Sequence, residues 1–183
     1  MKKGLIYDLI KVGKVIIIAL IISILIENYI IGLTIVSGES MLYTIKNNDR
    51  VLINKICYIY NNPKRGEIVV FNPPIEKRQQ ELFIKRVVAV PGDSFKVEKN
   101  RVYINDLLLN ENYILDNDFK DRDYNLVEGI VPDGYVFVMG DNRNNSNDSR
   151  MFGLVPMENI KGKAITKVWP VNGIKSFAVQ YDE

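Results

Sequence analysis

The chain has 183 residues, 47% of them hydrophobic and 25% charged, and a formal net charge of +2, the profile of one ordinary globular domain rather than of a disordered, collagen-like or coiled-coil chain. It contains no histidine and a single cysteine, Cys57, which excludes a Ser-His-Asp triad, a Cys-His dyad, a His-ligated zinc or haem, a thiolate-rich metal site and an intrachain disulfide. Any reaction must be carried by Ser, Thr, Lys, Tyr, Asp, Glu or Arg.

The charge is unevenly placed. Residues 1–14 hold Lys2, Lys3, Lys11 and Lys14 against Asp8, a balance of +3, so the remaining residues sum to −1. A near-neutral body carries no nucleic-acid footprint, which needs clustered positive charge. Next comes Val15–Ile26, VIIIALIISILI, in which Ser23 is the sole polar residue. As a helix this run is about 18 Å long, short of the roughly 30 Å of membrane hydrocarbon. A span therefore has to borrow residues on both sides, with Lys11 and Lys14 snorkelling to the headgroups. The expected division is a cytoplasmic basic tail over 1–11, a transmembrane anchor over 12–31 and an extracytoplasmic body over 32–183, oriented by the positive-inside rule. Two other readings of the run are a cleavable signal peptide and a buried core helix. No small-residue cleavage site follows in ENYIIGLTIV, and the run lacks the polar face of a helix packed on a soluble body.

The body reads as strands: RVLINK (50–55), GEIVVF (66–71), ELFIKRVVAV (81–90), SFKVEK (94–99), RVYIN (101–105), YVFVMG (135–140) and KAITKVWP (163–170). They are rich in Val, Ile, Tyr and Phe and bounded by Pro, Gly and Asp. Lys99-Asn100 suits a hairpin turn, a short helical turn fits Pro156–Ile160, and residues 110–130 lack pattern and read as an exposed excursion. Many short strands with frequent turns predict an all-β barrel or sandwich. Cys57, in ICYIY, is expected as a buried small hydrophobe, and Trp169 and Phe177 as anchors of the carboxyl end in the core.

Without histidine, a nucleophile needs another base. Ser40 lies in the small-residue turn SGESM, directly after the apolar segment. Lys85 lies in FIKRVVAVPGD, inside a strand apolar on both sides. Burial there disfavours the charged form, and a neutral lysine can activate a serine hydroxyl. Each signal alone also fits a turn serine and an edge-strand lysine. The third element is GDNRNNSNDSR (140–150). Its plain reading is a solvated turn, yet Asp141, Arg143, Asp148 and Arg150 alternate in sign, a pattern suited to paired charges that fix a loop. Ser146 and Ser149 offer hydroxyls that can orient an amine without charging it, whereas an acid in contact would raise the lysine pKa, which favours Ser146 over Asp148 as the direct partner.

These residues resemble bacterial type I signal peptidases, membrane serine proteases with a Ser-Lys dyad. The resemblance runs in order along most of the chain: basic start and apolar span, SGESM, NDRVLINK, RGEIVVFNPP, FIKRVVAVPGD, VEKNRVYIND, GDNRNNSNDSR with FGLVP, and KVWP. It implies an all-β catalytic body of the kind shared with SOS-repressor proteases, one N-terminal transmembrane helix, a plasma-membrane location and no cofactor. It further implies Ser40 as nucleophile, Lys85 as general base and Ser146 as the hydroxyl bonded to that lysine. Asp141, Arg143, Asp148 and Arg150 would brace the site, and Met41 would line the substrate region. The Ser40 N–H would serve the oxyanion hole. The family position that in some members carries a second oxyanion hydroxyl is Gly38 here. The implied partners are secreted preproteins and membrane lipid, with the secretion translocon as a further one, and no nucleic acid. Ile35, Leu42 and Tyr43 are the expected lipid-facing residues. The chain departs from the family pattern at Tyr43, where proline is usual, at Asn145 and at Met151. The rival readings are a self-cleaving SOS-repressor-type protease, which the apolar segment opposes, and an inactive membrane-anchored β module that binds peptides or a secretion complex.

Overall fold

In a computed structural model, the described residues are 2–98, 101–114, 124 and 126–177. The expected turn at Lys99-Asn100 and ten residues of the expected excursion, 115–123 and 125, lie outside them.

Helix α1, Lys2–Tyr29, opens the chain. Val15, Ile16, Ile17, Leu20, Ile21 and Ile24 are each at least half exposed, so the helix does not pack its aliphatic length on the body and is not a core helix. Its apolar run is the twelve residues Val15–Ile26, broken once by Ser23. By that measure no helix among the described residues is long and apolar enough to cross a membrane. The transmembrane span drawn over 12–31 needs correction at its far end too. The helix stops at Tyr29, and Ile31–Ile35 is already strand β1, paired antiparallel with β2 (Arg50–Asn54). Local propensity does not force the change, since the equally β-branched run before it is helical; the antiparallel pairing of Ile31–Ile35 with β2 does.

The body is mostly β. One sheet runs β1, β2, β11 (Ile160–Trp169), β3 (Ile68–Phe71), β4 (Phe83–Ala89), β9 (Tyr135–Met139), β10 (Val155–Pro156), with β12 (Lys175–Ser176) paired to β11. A second sheet runs β7 (Leu107–Leu108), β6 (Arg101–Ile104), β5 (Ser94–Glu98), β8 (Glu128–Ile130). All seven expected strands are present. Five short or edge strands (β1, β7, β8, β10, β12) were not expected, because two to five residues carry too little alternation to read. The helical turn near Pro156–Ile160 is a 3-10 turn, Met157–Asn159.

Strand β4 positions the site. It lies between β3 and β9, and its last five residues, Lys85–Ala89, are all buried. A strand covered on both faces reads as a continuous apolar run; here that run carries two cations. Phe177 is buried with Val36, Met41 and Ala164, as expected. Trp169 is not: its ring is half exposed and lies over the Arg50 guanidinium at 5.8 Å, because it ends β11 opposite Arg50 near the sheet margin. Cys57 is only half-buried, its thiol donating to the Asn54 carbonyl at 3.3 Å.

Candidate active site

Adjacent residues of a strand face opposite sides, so Lys85 and Arg86 of β4 serve different neighbourhoods. Lys85 faces a groove lined by Thr34–Ser40 on one wall and Leu82–Lys85 on the other, with Arg78, Glu81, Asn145 and Asn147 at its rim. Lys85 Nζ stands 2.7 Å from Ser40 Oγ and donates to the Ile84 carbonyl at 3.0 Å. It also lies 5.1 Å from the centre of the Phe83 ring. Only 4% of Lys85 is exposed. Burial pulls its pKa down from 10.5 to about 8, against the opposing charges of Asp148 and Asp141 and with help from Arg78.

Burial prevails because each of those acids is already matched to an arginine. Asp148 takes Arg150 through two bonds of 2.8 Å and accepts from the Gly140 N–H at 3.0 Å. Burial alone would raise the Asp148 carboxyl; Arg150, Ser146 and the Gly140 N–H hold it below its ordinary value. Asp141 takes Arg86 through bonds of 2.8 and 2.6 Å and the Thr44 hydroxyl at 2.5 Å. Arg86 and Asp141 are essentially unexposed.

The expectation of charge pairs inside the 140–150 loop holds for Asp148 and Arg150 alone. Asp141 pairs with Arg86 across 55 positions of sequence. Arg143 pairs with Glu111 and donates to the Gly140 carbonyl at 3.0 Å. Arg86, Glu111 and Asn142 were missed by sequence reasoning. Arg86 had a readable signal, since neighbouring cations in a doubly apolar strand face opposite ways and each needs its own solution. Glu111, in an unpatterned segment, had none.

The Ser40 turn is held from the same loop. Asn142 N–H donates to the Ser40 carbonyl and Asn142 Nδ2 to the Glu39 carbonyl, both at 3.0 Å. Gly140 allows the approach: a Cβ there would stand 2.4 Å from the Ser40 carbonyl oxygen and 2.3 Å from Ser146 Oγ. Gly38, at φ +100°, turns the chain and donates its N–H to Asn47 Oδ1 at 3.0 Å. The Ser40 N–H has no hydrogen-bond partner among the described residues.

Two expected roles need correction. Ser146 is buried beside Gly140 and close enough to Asp148 to favour its charge, yet among the described residues its hydroxyl makes no hydrogen bond of good geometry and none to Lys85. Lys85 already has Ser40 and the Ile84 carbonyl as partners. Met41 is 1% exposed and packs with Val36, Ile45 and Phe177, so it supports the turn from below and does not line the groove. Tyr43, in place of the usual proline, has φ +86°, a value that a pyrrolidine ring forbids. No cluster of possible metal ligands occurs among the described residues.

Comparison with known proteins gives the family. The family described as "Signal peptidase, peptidase S26" matches residues 9–169. Signal peptidase I of Leptolyngbya laminosa is 41% identical over 164 residues, 87% of this chain and 79% of that protein. Signal peptidase I of Bacillus amyloliquefaciens is 35% identical over 170 residues, 89% of each chain. The crystal structure of a signal peptidase I from Enterococcus faecalis V583 superposes with a TM-score of 0.46 at 31% identity, over 56% of this chain and 97% of that one. The chain therefore belongs to the signal peptidase family, and with it to the serine endopeptidases.

Proposed function

We propose that Ser40 and Lys85 form the dyad with which this peptidase removes signal peptides from secreted preproteins. The observation that carries the reading is the 2.7 Å separation of Nζ and Oγ at a lysine 4% exposed. Neutral Lys85 accepts the Ser40 proton as Oγ attacks the scissile carbonyl, giving an acyl-enzyme. The amine of the mature protein leaves with the proton from Lys85, and water then releases the signal peptide from Ser40. The free Ser40 N–H points to the oxyanion-hole role. Gly38 spends its own N–H on Asn47 and has no side chain to give, which leaves the hydroxyl of Ser37, on the groove wall, as the second donor in this scheme. Strand β1 lies at the edge of its sheet among the described residues, and an extended substrate adds as a further strand along the groove wall from Thr34 onward. Asp141, Arg143, Asp148 and Arg150 hold the frame and do not react. An inactive β module is not favoured, since nucleophile and base stand together.

The same proposal attaches the enzyme to the membrane through α1, with the amino terminus cytoplasmic and the body outside. The exposed aliphatic surface of α1 supports this, lengthened by the stems of Lys11 and Lys14. Ile35 and Tyr43, both exposed, would touch lipid beside the groove; Leu42 is only half exposed. Secreted preproteins reach the groove at the membrane surface, where the translocon delivers them. The test is cleavage of a preprotein by detergent-solubilised enzyme: Ser40→Ala and Lys85→Ala each abolish cleavage after the small residue and leave urea unfolding unchanged or stabilised. Retained cleavage by either variant overturns the dyad.

A further inference from the structure

The last turn of α1 ends on the body through one side chain. A helix leaves its final carbonyls without intrahelical donors, and a cation there also meets the negative end of the helix dipole. Lys55, half-buried at the end of β2, donates from Nζ to the Glu27 carbonyl at 2.9 Å and the Asn28 carbonyl at 3.2 Å. Its backbone N–H takes the Ile30 carbonyl at 2.9 Å. Three consecutive elements, α1, β1 and β2, thus meet at one residue. The side chain reaches the carbonyls by crossing Gly32 of β1: a Cβ on Gly32 would lie 2.7 Å from Lys55 Cε and 3.4 Å from Nζ. Gly32 and Lys55 form one device, a gap and the cation that fills it.

We infer that Lys55, seated over Gly32, is a positioning residue that fixes the angle between α1 and the catalytic body and so sets the height of Ser40 above the membrane. Only four residues separate Ile35, the end of β1, from Ser40, and β1 is held in register to β2 from Ile31 to Ile35. A change of angle at the helix end is therefore transmitted along a paired strand to the nucleophile turn without being absorbed by a loose linker. A short peptide in solution reaches the groove at any angle. A preprotein held in the bilayer presents its cleavage site at one height, so it alone depends on the joint. The inference rests on the proposed membrane-bound signal peptidase activity.

The test compares two variants of the full chain in proteoliposomes. Lys55→Met removes the ammonium and keeps the stem; Gly32→Ala keeps the ammonium and pushes it off the carbonyls. Each is expected to lower kcat/KM for a membrane-inserted preprotein about two- to fivefold, the size of a helix-terminal charge interaction, with cleavage of a short soluble peptide unchanged. A distance measurement between spin labels at Ser23→Cys and Tyr60→Cys, in a Cys57→Ser background, should broaden in both variants. Unchanged preprotein processing, a parallel loss on the soluble peptide, or an unchanged distance distribution would each overturn the joint. If the unmodified enzyme cleaves neither substrate, the peptidase reading fails while the distance measurement still decides the joint.

Discussion

Changing the pH across the Lys85 titration perturbs the proposed mechanism at its base and nowhere else in the dyad. With a pKa of about 8 in place of 10.5, about one enzyme molecule in ten carries neutral Lys85 at pH 7, against roughly one in 3,000 for a hydrated lysine, a gain of about 300-fold. In peptide cleavage assays, kcat/KM should climb about tenfold per pH step below 8 and level off above it. Arg78→Gln removes a nearby cation and should carry this limb to higher pH. Linkage gives a second readout. The folded-state pKa lies below the unfolded one, so between about pH 8 and 10.5 the unfolded chain binds the proton that the folded chain has lost, and stability rises with pH across that window. Relative to Lys85→Met, the unmodified enzyme should gain about 3 kcal/mol from pH 8 to 10.5, read from urea unfolding at successive pH values. A rate limb centred near 10.5, or a stability difference flat across the window, would show Lys85 to be hydrated and would refute the base assignment.

Three further outcomes follow from the site. Arg86→Met strands the Asp141 charge in an unexposed position and should cost about 3–5 kcal/mol in urea unfolding; a loss under about 1 kcal/mol would mean that the pair is hydrated. Gly140→Ala crowds the Ser40 carbonyl and Ser146, so it should lower kcat and destabilise by about 1–3 kcal/mol, and unchanged values of both would contradict the close approach. Restoring the family's proline through Tyr43→Pro should destabilise by more than about 1 kcal/mol, because φ is +86° there. Tyr43→Gly should be tolerated, and a proline variant of equal or higher melting temperature would show that the turn relaxes.

Much of the molecule could be read from order and local pattern. The seven longer strands announce themselves through β-branched and aromatic runs between turn residues, and Ser40 and Lys85 through their motifs. A buried lysine was legible because the residues around it on β4 are apolar on both faces. The aliphatic run of α1 was equally plain, although not where the helix ended: nothing local separates Tyr29 from Ile31, and the switch to strand comes from pairing with β2. Pairing also decided the charges. Asp141 and Arg143 sit two residues apart with opposite sign, yet each finds its partner on another element, Arg86 on β4 and Glu111 beyond β7. Met41 follows Ser40 directly and still packs into the core. Spacing along a chain determines which side chains share a face, whereas strand order and register determine which faces meet. The candidates for nucleophile and base, Ser40 and Lys85, could therefore be picked out in the sequence. The acid–arginine pairs around them, the buried place of Ser146 and the contact of Lys55 with the helix end were decided only when distant strands came together.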